Sequence, residues 1–160
     1  MANLDTATPM LDYAALRVYT GTETSVRITQ PGIAGYFQRY DSATTTPDDS
    51  GVTIVDAANR RWKRIFDSLV NLLWFSAVAD GNGNGGGTDN TAAFARAYAY
   101  LNRLGGGGLL VPMAGTGIYR VHTEIIPATN TNTIVEEGVT LNFTSKTAEG
   151  VNGQTIVGSI

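Results

Sequence analysis

Between residues 14 and 66 apolar and polar positions alternate in short runs separated by turn residues. Residues 16–19 (Leu-Arg-Val-Tyr) and 25–29 (Ser-Val-Arg-Ile-Thr) have the two-residue period of half-buried strands. Residues 20–23 supply a turn between them. Pro31 and Gly32 break the second run, and an aromatic-rich strand restarts over 33–40, interrupted by Gly35. A loop of Ser, Thr, Asp and Pro covers 41–51, and two further runs follow at 51–55 and 61–66. Residues 56–59 form a plausible hairpin connection between those two. Such a set of short strands predicts a small antiparallel β-domain, too small to be very stable alone and in need of a partner surface or of copies of itself. Residues 1–13 show no period and read as an extended arm.

The pattern changes at Val70. Residues 70–78 are almost continuously apolar, as expected of a strand buried on both faces. A glycine-rich loop from Asp80 to Asp89 ends in residues suited to cap a helix. Residues 90–104 then place Phe94, Ala97, Tyr98, Leu101 and Leu104 on one stripe, and Gly105 to Gly108 stop the helix. Short strands are predicted beyond it at 109–111, 118–121, 133–135, 139–143 and 155–157. Parallel strands joined by short turns require a coiled solenoid, and its open end needs a cover, so the single helix reads as a lid.

Composition narrows the function classes. Charged residues make up 16% of the 160, below the roughly 25% of an average globular chain, and the net charge is −3. This argues against a nucleic-acid-binding surface. The chain has no cysteine, which excludes thiolate metal sites, disulfides and thiol nucleophiles, and one histidine, His122, cannot build a multi-histidine metal site. No stretch approaches the roughly 18 apolar residues of a membrane span, and the N-terminus lacks a secretory signal pattern. The expected partners therefore include neither nucleic acid nor membrane, and no cofactor is expected.

Each candidate chemical motif has a plainer structural reading. The loop 81–87 lacks the lysine that a phosphate-binding loop requires. Asp41, Asp48 and Asp49 lack the alternation and closing Glu of a calcium loop and read as a solvated turn. Glu136 and Glu137 are adjacent and would point to opposite faces of a strand, so they do not form a glycosidase pair. Residues 60–64 (Arg-Arg-Trp-Lys-Arg) are the one concentration of positive charge. They read as an interface strand, with Trp62 packed and the basic residues facing acids of a neighbour.

Two sets of motifs carry a family resemblance. Asp80-Gly81, Thr88 to Phe94, Gly106 to Pro112 and Gly117 to Val121 stand in the order of the opening of pectate-lyase-like β-helix proteins. Tyr13 to Arg17, Ile33 to Phe37, Gly51 to Val55 and Arg60 to Arg64 resemble the small β-domain that precedes the helix in phage tailspikes and capsular depolymerases. The resemblance implies a mainly β chain in which a small N-terminal antiparallel β-domain is followed by the helix-capped start of a right-handed parallel β-helix. It divides the chain into an arm (1–13), an attachment and trimerisation domain (14–69) and the capping helix with first rungs (70–160). It also implies a homotrimer in the virion tail, bound to a tail or baseplate protein at its N-terminus and to host surface polysaccharide through its distal part. Interface residues are expected among Tyr36, Phe37, Arg61, Trp62, Lys63 and Arg64, and the cap rests on Phe94, Tyr98 and Leu101. The last strand carries no capping unit, which suggests the start of a longer spike, with no catalytic residue in this segment. The alternative is a polysaccharide lyase or glycoside hydrolase whose groove uses residues of this segment.

Overall fold

Asp12 places its carboxylate on the backbone N–H of Ala15 at 2.8 Å and so starts a short helix, α1 (Tyr13–Arg17), which buries Tyr13 and Leu16. This computed structural model describes residues 7–40 and 45–143 and the backbone of 154–157. The chain folds as two compact units, Met1–Asp67 and Ser68–Ile160. It is mainly β, with few helices and no closed barrel among the described residues.

The first unit is one five-stranded sheet built from β1 (Thr8–Met10), β2 (Ser25–Ile28), β3 (Gly35–Arg39), β4 (Thr53–Val55) and β5 (Arg61–Arg64). Their order is β1-β2-β3-β5-β4; β1 runs parallel to β2 and every other pair is antiparallel. Val26, Phe37, Ile54 and Trp62 lie on the inward face, and Met10, Tyr13, Leu16, Ile28 and Ile33 complete the core. Two expectations change here. Residues 16–19 are not a strand, because the Asp12 cap and the three-residue spacing of Tyr13 and Leu16 favour a helical turn against the sheet. Within the expected arm, Thr8–Met10 pairs with β2 as an edge strand; residues 1–6 of that arm lie outside the described residues.

The second unit stacks strands in parallel. β6 (Leu69–Asn71), β7 (Gly107–Val111) and β9 (Thr131–Val135) form one parallel sheet in the order β6-β7-β9. β8 (Ile118–Val121) and β10 (Thr140–Phe143) pair in parallel in another. After the helix α2 (Thr91–Arg103) the chain visits the two sheets alternately through β7, β8, β9 and β10. Matching registers put Val70 beside Leu109 and Tyr119 beside Leu141, all buried. Tyr119 is fully buried and donates its hydroxyl to Pro112 O at 2.7 Å; burial, with the nearby Glu136 charge adding, pushes its pKa up to about 12.

Three details of this unit depart from the pattern read along the chain. The apolar run 70–78 is not one strand, because Asn71 caps a 3-10 turn (Leu72–Phe75) by accepting from Leu73 N, and Ser76 ends it at φ 65°. Leu104 falls off the buried stripe and is 56% exposed. The helix stops before it in a Schellman arrangement, with Gly106 N donating to Leu101 O and Gly105 N to Asn102 O, and Gly105 at φ 80°. Strand β11 (Gln154–Val157), expected as a further rung, pairs antiparallel with β10 and does not extend the parallel stack.

Candidate attachment surface

The pairing register of the first unit separates its residues into two faces. Because side chains alternate along a strand, the positions next to the inward rows face outward: Pro9, Arg27 and Tyr36 in one row, Ser25, Gln38 and Lys63 in the next. Tyr40 and Ile65 continue this face beyond the strand ends, through Tyr40 N to Arg61 O and Ile65 N to Tyr36 O. Pro9, Arg27, Gln38, Lys63, Tyr40 and Ile65 are exposed and Tyr36 is half-buried. The Lys63 ammonium sits 5.7 Å from the Tyr40 ring centroid. None of these positions is a carboxylate. The exposed part of this face carries two cations, two tyrosines, Gln38, Pro9 and Ile65, while Ser25, Thr53 and Arg61 on the same side are buried; Tyr and Arg are enriched at protein interfaces.

The six residues expected at an interface divide between this face and the interior. Lys63 and Tyr36 stand on it, and Arg61 lies on the same side of its strand, covered by the loop at Thr46. Phe37 and Trp62 are fully buried in the core, and Arg61 and Arg64 are buried at 9% and 3% exposure. Arg64 holds the unit together from inside: its guanidinium donates to Gly51 O, Ala34 O, Ile33 O and the Tyr13 hydroxyl, and lies 4.6 Å from the Phe37 centroid. Desolvation lowers its pKa, and burial raises that of Tyr13 against the opposing Arg64 charge. Glycine is required at position 35, because a Cβ there would run into the Arg64 guanidinium. Arg61 is turned onto the loop carbonyl of Thr46 and onto Asn59.

Asp48, Asp49 and Asp56 are occupied by local structure. Asp48 accepts both arms of Arg17, at 2.9 and 2.8 Å, and the N–H groups of Ser50 and Val55. Asp49 accepts three successive backbone N–H groups, from Gly51 to Thr53. Asp56 accepts from Trp62 Nε1, from Arg60 and from two backbone amides. No cluster of potential metal ligands occurs among the described residues; Asp41 lies outside them. Burial opposes ionisation of Asp48 and Asp56, but donated hydrogen bonds outweigh it, from Arg17 and backbone amides for Asp48 and from Trp62 and Arg60 for Asp56, so both pKa values fall below the usual carboxylate range. Their contribution to stability is therefore complete above the ordinary Asp value of about 3.9 and is lost as pH falls below it, through the folded-state values. Acid titration followed by amide exchange in β4 and β5 is expected to show protection falling only below about pH 4; constant protection down to pH 2 would contradict this.

In the second unit Phe94, Tyr98 and Leu101 are all buried on α2, and Tyr98 and Thr133 of β9 share a hydroxyl hydrogen bond of 2.7 Å. The pattern along the chain did not single out Asn90. It occupies the helix N-cap without a side-chain cap bond; the capping contact to Thr91 N comes from Asp89. Asn90 is 1% exposed, and its amide accepts from Val78 N and donates to the carbonyls of Val78, Thr88 and Arg120. Its position within a polar loop disguised it as an ordinary cap. Glu136 receives Met113 N, and the His122 ring meets Arg120, so each has a local structural contact.

Comparison with known proteins agrees with this division. Residues 1–67 match the family described as phage tail protein small four-stranded beta-sheet domain. No curated protein matches the chain by sequence. Among solved structures, the tailspike protein gp49 of Acinetobacter baumannii bacteriophage Fri1, described as a capsular polysaccharide depolymerase, is similar with a TM-score of 0.63 at 13% identity, over 94% of this chain and 27% of that one. The Acinetobacter baumannii phage AM24 tailspike gives 0.57 at 20% identity over 85% and 24%. Tailspike protein 2 of an Escherichia coli O157:H7 bacteriophage, CAB120, gives 0.59 at 16% over 83% and 17%. The chain thus spans about a quarter or less of the length of these tailspikes. With a phage tail β-sheet domain matched at residues 1–67 and a tailspike fold over most of its length, the chain is similar to the N-terminal part of phage tailspikes, proteins of the virion tail.

Proposed function

We propose that this chain is the N-terminal anchor of a homotrimeric tailspike, fixing a receptor-binding and polysaccharide-degrading body to the phage tail. The observation that carries the reading is the open, carboxylate-free face of the first unit's sheet, centred on Arg27, Tyr36, Gln38 and Lys63. It lies within the residues that match the phage tail domain, and Tyr and Arg are common anchors of binding surfaces. On this reading the first unit, with Thr8–Met10 built into its sheet, is the docking and trimerisation domain, and the second unit is the start of a right-handed parallel β-helix closed by α2. The buried stripe of α2 and its hydroxyl bond to β9 support a capping role. Trimerisation is supported by exposed apolar residues flanking α1, Leu11 at 68% and Val18 at 73%, which association would cover.

Charge reversal tests the anchor directly. Arg27→Glu with Lys63→Glu should leave folding intact, since both side chains are exposed, and weaken incorporation of spikes into tails by roughly tenfold or more. Normal incorporation would overturn the assignment of this face. Sedimentation of the purified protein should give a trimer, and a monomer at micromolar concentration would overturn the oligomeric part.

A further inference from the structure

We propose that Asn84 is a site of spontaneous deamidation and that the neighbouring Asn82, although it too precedes a glycine, is protected. Two of the three Asn-Gly steps in the sequence, 82–83 and 84–85, lie in the same exposed loop between β6 and α2. The chemistry requires a mobile side chain, an accessible backbone N–H on the next residue and water. In an Asn-Gly step the glycine nitrogen, after losing its proton to hydroxide, attacks the asparagine Cγ. A C–N bond forms, the bond to the side-chain NH2 breaks and ammonia leaves. Water then opens the resulting five-membered imide at either carbonyl, giving aspartate or isoaspartate.

The two asparagines differ in how their side chains are held. The Asn82 Oδ1 accepts the backbone N–H groups of Asn84 and Gly86, each at 3.0 Å, and is the acceptor that shapes the loop. Bringing its Cγ to Gly83 N means breaking both bonds. Asn84 contributes only its backbone N–H to that arrangement, and its side chain is exposed. Gly85 lies at φ 80° and has no Cβ to hinder attack on its neighbour. The same hydrogen bonds therefore select between two steps with the same local sequence.

The effect should stay local. Asp80 closes the loop from outside by accepting Thr88 N at 2.7 Å and the Thr88 hydroxyl at 2.8 Å, beyond the modified segment and ahead of α2. An isoaspartate at 84 lengthens the backbone between Asn82 and Gly86 and breaks their register without passing this clamp.

The test is peptide mapping by mass spectrometry after incubation of the intact protein in mildly alkaline buffer, with isoaspartate identified by methyltransferase labelling. Conversion at 84 should exceed that at 82 by about tenfold, as expected for two additional bonds to be broken. The melting temperature of the aged protein should match that of the fresh protein, and Asn84→Gln should reduce the label in this loop about tenfold, to the level contributed by Asn82. Equal or faster conversion at 82, or no conversion at 84, would overturn the proposal.

Discussion

Replacing Asp56 with Ala is expected to destabilise the first unit by about 3–5 kcal/mol, the range for breaking a buried pair by deleting one partner. The Asp56 side chain is fully buried and its salt bridge to Arg60 is 2.7 Å long. The same carboxylate receives Trp62 Nε1 at 2.9 Å in the centre of the core, together with the backbone N–H groups of Ala58 and Arg60 that form the β4–β5 turn. Deletion leaves an indole N–H without its acceptor and a guanidinium held by the carbonyls of Tyr19 and Gly21 and the faces of the Tyr19 and Trp62 rings, with no counter-charge. Asp56→Asn retains one acceptor oxygen but loses the charge, so it should cost less. Denaturant unfolding combined with amide exchange would report both, with lost protection in β2 to β5 and an unchanged second unit. A loss below about 1 kcal/mol would show that water replaces the carboxylate without penalty.

Asn90→Ala should be the most damaging single polar substitution in the second unit, costing about 3 kcal/mol, because it leaves the Val78 N–H and the carbonyls of Val78 and Thr88 without their side-chain partner and Arg120 O with only the residue-90 backbone N–H. These groups belong to Val78, Thr88 and Arg120, so one amide joins the segment before the glycine-rich loop to the end of β8. Asn90→Asp distinguishes this account from loss of packing. Aspartate is nearly isosteric and can still accept from Val78 N, but it sets negative oxygen against three carbonyl oxygens and should be worse than alanine. If Asp and Ala cost the same, the three donated bonds contribute little.

Side-chain period made much of the architecture legible, and failures occurred where a single polar side chain overrode that period. The helix was readable because Phe94, Ala97, Tyr98 and Leu101 repeat at three and four residues and the following glycines give an unambiguous stop. Strands β2, β3, β4 and β5 were readable from alternation. The run at 16–19 alternates equally well, yet Asp12 accepting one backbone N–H made it helical. Asn71 did the same to the apolar stretch that follows it. Strand β1 could not be read because three residues containing a proline carry no period; the neighbouring strand decides their conformation. The cluster at 60–64 did not show how its charges are placed: Arg64 turns into the core and binds carbonyls, Arg61 shares the side of Lys63 but is held under the loop at Thr46, and Lys63 is exposed.

The parallel stacking of the second unit also bears on how such chains diverge. The strands of successive layers are paired through main-chain groups, which every residue except proline can provide in full. The segments between strands, residues 112–117, 122–130 and 136–139, differ in length without disturbing the matched rows on either side. Insertions there would alter the girth of the molecule at one level and leave its rise per layer untouched. A scaffold of this kind constrains little beyond the inward positions, and so a shared backbone can persist in tailspikes that retain only 13–20% of the same amino acids.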